Sequence, residues 1–204
     1  ATGPVADFAL LGFINGKYIA DMDSDQRYNA LCAYFDKLVE KGEGLKLEIY
    51  NGEQRDTIEY SHDTVHAFSD AFRADPLFSK RAFALEPERI RRLGDVIDQY
   101  GFLFPDLYAP PAPDVLAKTA GSADKARTIL TKFLEGYDPH ESHEGWETRL
   151  RGICEAMGEK PKAVFMTVRL ALTGKEKSPP VYDIAGILGP DEVKQRVMGA
   201  MKGV

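Results

Sequence analysis

The chain has no run of eighteen apolar residues, so it offers no transmembrane helix, and its N-terminus lacks the basic and apolar regions of a signal peptide. A cytoplasmic protein is expected. It has two cysteines, Cys32 and Cys154, with no CxxC spacing and no clustered histidines, so reduced thiols in helices are expected rather than a disulfide or a metal site. No glycine-rich phosphate loop and no dinucleotide-binding fingerprint occur, and no catalytic constellation is found. His140 and His143 flank Glu141 at the start of a predicted helix, an arrangement open to a metal or acid-base role and equally to a solvated turn. There is neither an internal repeat nor a low-complexity segment. The first residue is Ala1 rather than Met, which leads to the expectation that an N-terminal part precedes this chain.

What the sequence does have is material for a core: 44% of its 204 residues are hydrophobic, enough for one large domain or two small helical ones. A formal charge of −6 argues against a protein that coats nucleic acid nonspecifically. Its distribution is uneven. Residues 1–76 carry 7 basic and 14 acidic side chains and residues 93–145 carry 4 and 9, whereas residues 77–92 carry 5 and 2 and residues 146–204 carry 10 and 7. Two basic zones in an acidic body suit a reader of one RNA feature, or are solvated helix faces.

Periodicity predicts a mainly helical chain. Ser24 can cap a helix with Tyr28, Leu31, Phe35 and Leu38 on one face, stopped by Gly42 and Gly44. Leu45 to Tyr50 alternates, Asn51-Gly52 supplies a turn, and Thr57 to Tyr60 can return, which predicts a β-hairpin. Ser61 caps a helix with Val65, Phe68 and Phe72 that ends at Pro76. Pro87 opens another with Ile90, Leu93 and Ile97, on which Arg89, Arg91 and Arg92 ride. Prolines at 105, 110, 111 and 113 predict a linker. Beyond it, helices form around Ile129 and Phe133, around Trp146, Leu150 and Ile153, and around Val164, Val168 and Leu172. A last helix starts at Pro190.

Within the second basic zone, an amphipathic helix carries Arg169 to its end at Gly174. A basic turn of Lys175 and Lys177 follows, and Ser178-Pro179-Pro180 restarts a helix. Exposed cations beside helix ends suit a phosphate or a base edge, although an ordinary capped turn would read the same.

The stretch from Met166 to Arg196 resembles the C-terminal anticodon-binding region of glutamyl-tRNA synthetases, and the likeness extends along almost the whole chain. Asp7 to Ile19, with Asn15-Gly16-Lys17-Tyr18-Ile19, is similar to the stem-contact segment that follows the catalytic domain. Glu88 to Leu93 followed by Phe102-Leu103-Phe104 resembles the first anticodon-binding subdomain, and Trp146 onward resembles the second. Leu45 to Tyr60 departs from the family, which normally runs helix to helix there. Phe78-Ser79-Lys80-Arg81 has a superficial likeness to the Lys-Met-Ser-Lys-Ser loop of class I synthetases. It lies downstream of Asn15-Gly16-Lys17, the His-Ile-Gly-His companion motif is absent, and the likeness is set aside.

The resemblance implies a mainly α fold of two helical-bundle subdomains of the class I synthetase anticodon-binding type, with a small β-hairpin insertion at 45–60. The end of the stem-contact region would occupy 1–23, the first subdomain 24–105, a Pro-rich linker and short helix 106–121, and the second subdomain 122–204. It implies tRNA(Glu) as partner, with no DNA and no membrane, and a monomer. No cofactor is expected in this chain, since ATP and Mg would belong to a catalytic domain outside it. Arg89 matches the arginine that reads cytosine at the third anticodon base, and its alternative is a salt bridge to Glu86 or Glu88. Arg169, Ser178 and Val181 match positions lining the pocket for the other anticodon bases. Lys80, Arg81, Arg91, Arg92, Lys175 and Lys177 are expected phosphate contacts. Two other readings stay open: the related region of a class I lysyl-tRNA synthetase, and a free-standing helical interaction module.

Overall fold

The computed structural model describes residues 8–51 and 54–204. The chain divides into two compact units, residues 1–107 and residues 108–204. Among the described residues the elements are eleven α-helices, three short 3-10 turns and one two-stranded sheet.

The first unit opens with α1 (Phe8–Asp21), a helix that periodicity does not announce because Gly12, Asn15 and Gly16 weaken its propensity. Gly16 packs on Arg91, and a Cβ there would lie 3.4 Å from the Arg91 Cα, an ordinary contact distance. Helix α2 (Ser24–Glu40) starts at the expected place, but its cap is Asp23 rather than Ser24. The Asp23 carboxylate accepts from the Gln26 N–H while the Gln26 side chain accepts from the Asp23 N–H, a reciprocal pair that Ser24, one residue too late, cannot make. Buried Arg27 donates to the carbonyls of Ile19, Ala20 and Met22, so a guanidinium satisfies the end of α1.

The predicted hairpin forms. Strands β1 (Leu45–Asn51) and β2 (Gln54–Tyr60) pair antiparallel with Leu45 opposite Tyr60 and Leu47 opposite Ile58, and the alternation turns Leu45 and Leu47 inward. Gly52 of the predicted turn lies outside the described residues. Ser61 caps α3 (His62–Ala74) through the Thr64 N–H, and Pro76 both ends that helix and opens α4 (Pro76–Ala82). Phe35, Phe68, Phe72, Phe83, Tyr100 and Phe104 form the core, ring to ring at centroid separations from 5.0 to 6.3 Å.

The helix expected from Pro87 through Ile97 does not form. Pro87–Arg89 is a single 3-10 turn, Ile90 is extended with its side chain fully buried, and α5 spans only Asp95–Tyr100. Asp95 explains the break. Its carboxylate accepts from the Arg92 N–H at 2.9 Å and from Arg92 Nε at 3.0 Å, closing a turn that competes with helix. Arg89, Arg91 and Arg92 therefore do not share a helix face.

In the second unit α6 (Pro113–Ala120), α7 (Ala123–Glu135), α8 (His143–Met157), α9 (Pro161–Thr173), α10 (Val181–Leu188) and α11 (Pro190–Gly203) enclose one core. Phe133, Trp146, Leu150, Val168, Leu172 and Val197 are among its members, from α7, α8, α9 and α11. The stretch read as a linker and short helix is split between the units. Leu107 ends the first, while Tyr108 and α6 belong to the second, where Leu116 and Ala120 join the core. Cys154 is buried and Cys32 half-buried, both as free thiols, and burial raises the Cys154 pKa.

Candidate nucleic-acid interface

Arg89 sits in the first unit at the end of its 3-10 turn, about one quarter exposed. Its Nη1 donates to the Glu86 carboxylate at 3.1 Å, and its Nε and Nη2 both donate to Gln99 Oε1 at 3.4 and 3.3 Å. Glu86 is held in turn by Tyr100, whose hydroxyl donates to the Glu86 carbonyl at 2.7 Å. Burial raises the pKa of that phenol, which keeps it a donor. A guanidinium has five N–H donors, and these three contacts leave two for a ligand. The pair with Glu86 joins partly exposed groups three residues apart and is worth only tenths of a kcal/mol. A base edge could compete with it.

The other cations of this zone are mostly engaged. Arg92 pairs with Asp95 at 2.8 Å and donates to the Glu48 carbonyl at 3.0 Å. Lys80 pairs with Asp25 at 2.7 Å and lies 5.3 Å from the Tyr28 ring centroid. Arg81 and Arg91 are exposed, and the Arg91 carbonyl accepts from the Asn15 side chain.

The second group lies at the end of α9. Arg169 is half-buried on the last turns of that helix. Thr173 Oγ1 contacts the Arg169 carbonyl at 2.7 Å and accepts from the Lys175 N–H at 3.0 Å, so one hydroxyl joins the helix to the basic turn. Gly174 takes φ +68°, a left-handed helix end that glycine adopts without strain. A Cβ at that position would run into the Ala109 carbonyl oxygen. Lys175 is half-buried and Lys177 exposed. Ser178 is buried and its hydroxyl donates to the Pro179 carbonyl at 2.9 Å. Val181 opens α10, half-buried against the core of the unit. Arg169, Lys175, Ser178 and Val181 thus belong to one helix-turn-helix junction.

Two side chains that sequence pattern does not single out hold that junction. Arg196, on α11 and buried, donates to the Leu172 carbonyl at 2.8 Å and to Glu192 at 2.6 Å. The Tyr108 hydroxyl donates to the Ala171 carbonyl at 2.6 Å. Both act on the terminal carbonyls of α9, which have no partners within the helix. Arg196 at four residues from Glu192 is a sequence signal for an ion pair, but nothing local indicates that its other donors reach a different helix.

Glu141, between the two histidines noted above, is occupied by Arg149, whose Nε lies 3.1 Å from each carboxylate oxygen and whose Nη2 donates to Oε1 at 2.5 Å. The Arg149 guanidinium also lies 4.8 Å from the Phe133 ring centroid and 5.1 Å from that of Trp146. Among the described residues no group of three His, Cys, Asp or Glu side chains could hold a metal ion, and no helix is long and apolar enough to cross a membrane.

Residues 59–201 match the family model described as an anticodon binding domain. A glutamate--tRNA ligase of Gloeobacter violaceus is 37% identical over 96% of this chain and 37% of its own length. One of Cutibacterium acnes is 28% identical over 96% of this chain and 35% of its own. The chain thus spans a little over a third of the length of these relatives. Its fold is similar to that of a solved glutamate-tRNA synthetase from Elizabethkingia anophelis, with a TM-score of 0.56 at 20% identity over 98% of this chain and 33% of that one. A glutamate tRNA ligase structure from Elizabethkingia meningosepticum gives 0.55, also at 20% identity, over 94% of this chain and 31% of that one. With its helical fold and a family match that covers well over half of its residues, this chain belongs to the anticodon binding domain family.

Proposed function

We propose that this chain is the tRNA-binding part of a glutamate-tRNA ligase, reading the anticodon of tRNA(Glu) while ATP-dependent attachment of glutamate takes place outside these residues. The observation that carries the reading is Arg89, a guanidinium fixed by Glu86 and Gln99 with two donors left over. The Watson–Crick edge of cytosine has two neighbouring acceptors, O2 and N3, which match two parallel N–H groups. Guanine presents N–H donors over the same positions and a larger outline, and would meet donor against donor.

In the second unit Arg169 supplies a further cation on the last turns of α9, in the same helix-turn-helix junction as Ser178 and Val181, and such a junction suits unstacked bases. Lys80, Arg81, Arg91, Arg92, Lys175 and Lys177 supply phosphate contacts. These fix register without reading sequence. The protein acts as a cytoplasmic monomer with no cofactor bound to these residues.

Binding to purified tRNA(Glu), to the same tRNA with guanine in place of the third anticodon cytosine, and to tRNA(Lys) tests the reading. The unmodified tRNA(Glu) binds best, and guanine lowers affinity by roughly ten- to a hundredfold, as one lost bidentate base contact requires. Equal affinity for all three would refute it, and a preference for tRNA(Lys) would favour a lysyl-tRNA synthetase instead. The chain alone gives no glutamate-dependent ATP-pyrophosphate exchange.

A further inference from the structure

Gln99 faces two partners that cannot exchange roles. Its Nε2 donates to Asp98 Oδ2 at 2.9 Å, and its Oε1 accepts from Arg89 Nε and Nη2. Asp98, when ionised, has only acceptors and Arg89 has only donors, so the amide has one orientation that satisfies both. Asp98 is itself oriented from the other side, because the Tyr60 hydroxyl donates to its Oδ1 at 3.3 Å. Tyr60 is the last residue of β2. The hydrogen bonds run without a gap from the hairpin through Asp98 and Gln99 to Arg89.

The hairpin is anchored where this relay needs it. Leu45 and Leu47 are buried, the Glu48 carbonyl accepts from Arg92, and Gly94 packs so closely that a Cβ would lie 3.0 Å from Leu45 Cδ1. Strand β1 is thus held against Arg92 and Gly94, and Tyr60, paired with Leu45 at that end of the hairpin, reaches Asp98 from β2. An arginine held on two edges loses less rotamer freedom when it meets a base.

We propose that Gln99 is a positioning residue for base discrimination by Arg89, with its amide oriented by Asp98 and by Tyr60 of the hairpin. The proposal rests on the reading of Arg89 given above. It gives the hairpin at 45–60 a role in specificity that requires no contact with RNA.

The test compares the affinity ratio for tRNA(Glu) over its third-position guanine variant in Arg89→Gln, Gln99→Met and Tyr60→Phe, each in the full 204-residue chain. Gln99→Met keeps the side-chain length but removes the acceptor, and the ratio falls by roughly three- to tenfold. Tyr60→Phe removes one oxygen remote from the base and lowers it by about twofold. Gln99→Glu restores an acceptor to Arg89 but sets a second carboxylate against Asp98 Oδ2, so it recovers only a small part of the ratio lost in Gln99→Met. A purely structural role would lower the urea midpoint, or both affinities together, with the ratio unchanged. A collapsed ratio in Arg89→Gln beside an unchanged ratio in Gln99→Met overturns this proposal alone. Equal loss of both affinities in Arg89→Gln overturns the base reading, and the proposal with it.

Discussion

The Arg196 guanidinium stacks over the ring of Tyr108, 4.0 Å from its centroid, while each side chain donates to a different carbonyl at the end of α9. Removing either has a calculable cost. Tyr108→Phe keeps the stacking and loses one hydrogen bond, for about 1 kcal/mol. Arg196→Met leaves the Leu172 carbonyl and the largely buried Glu192 carboxylate without their donor, and costs about 2–4 kcal/mol. Trp146, the sole tryptophan, lies in the core of the second unit, so its fluorescence during urea unfolding reads both values. Equal midpoints for the two variants would contradict the arrangement.

The two left-handed glycines that end α8 and α9 separate backbone strain from close packing. Gly158 and Gly174 take φ of +65° and +68°, but a Cβ at Gly158 meets nothing within 4 Å, whereas one at Gly174 meets the Ala109 carbonyl. Gly158→Ala costs about 1–2 kcal/mol for the left-handed conformation alone. Gly174→Ala costs about 1–3 kcal/mol more, because the 108–110 segment must move. The same tryptophan signal measures the difference.

These positions also mark how far sequence pattern reaches. Ser61, the alternation of Leu45 and Leu47, and the periodic faces of α7, α8 and α9 are local signals, and the structure follows them. The break at Arg92 is not legible, because the Asp95 carboxylate wins over a continuous apolar period from Ile90 to Ile97. Helix α1 is hidden by Gly12, Asn15 and Gly16, which lower its propensity. At the candidate interface, the Glu86 partner of Arg89 is readable at three residues' spacing, while Gln99 at ten residues is not. The helix end at Gly174 and the restart after Ser178-Pro179-Pro180 were legible as a junction, while the Ser178 hydroxyl bond to the Pro179 carbonyl had no signature in the sequence.

Alkaline pH should weaken the second unit. Burial, opposed by the nearby Arg196 charge, pushes the Tyr108 phenol up to about 12 from an ordinary value of 10.0. A raised folded-state value favours the protonated phenol in the native state. The stabilisation is complete below pH 10.0 and is lost as pH rises from there through about 12. The urea midpoint should therefore fall across that window, and Tyr108→Phe should make the fall shallower. A variant with the same slope as the parent would show that Tyr108 is not the group responsible.

RNA binding should be weak and salt-dependent, because the basic zones are small, sit in an acidic body and are partly paired internally. Two to four phosphate contacts on a single-stranded loop predict a slope of log affinity against log salt on the order of −1.5 to −3. Not all lysines should contribute alike. Lys177 is exposed on the turn between α9 and α10, and Lys177→Ala should reduce the slope by about 0.7, the value for one phosphate on a single strand. Lys80 has the Asp25 carboxylate 2.7 Å away and must exchange one anion for another, so Lys80→Ala should change the slope by less. Both substitutions should leave the preference for cytosine over guanine at the third anticodon position intact, since phosphate contacts carry no base information. Titrations with tRNA(Glu) from roughly 50 to 200 mM salt give all three quantities, a range over which such electrostatic contacts change measurably. A slope near zero, or a larger effect from Lys80 than from Lys177, would place the RNA on a different face of the molecule.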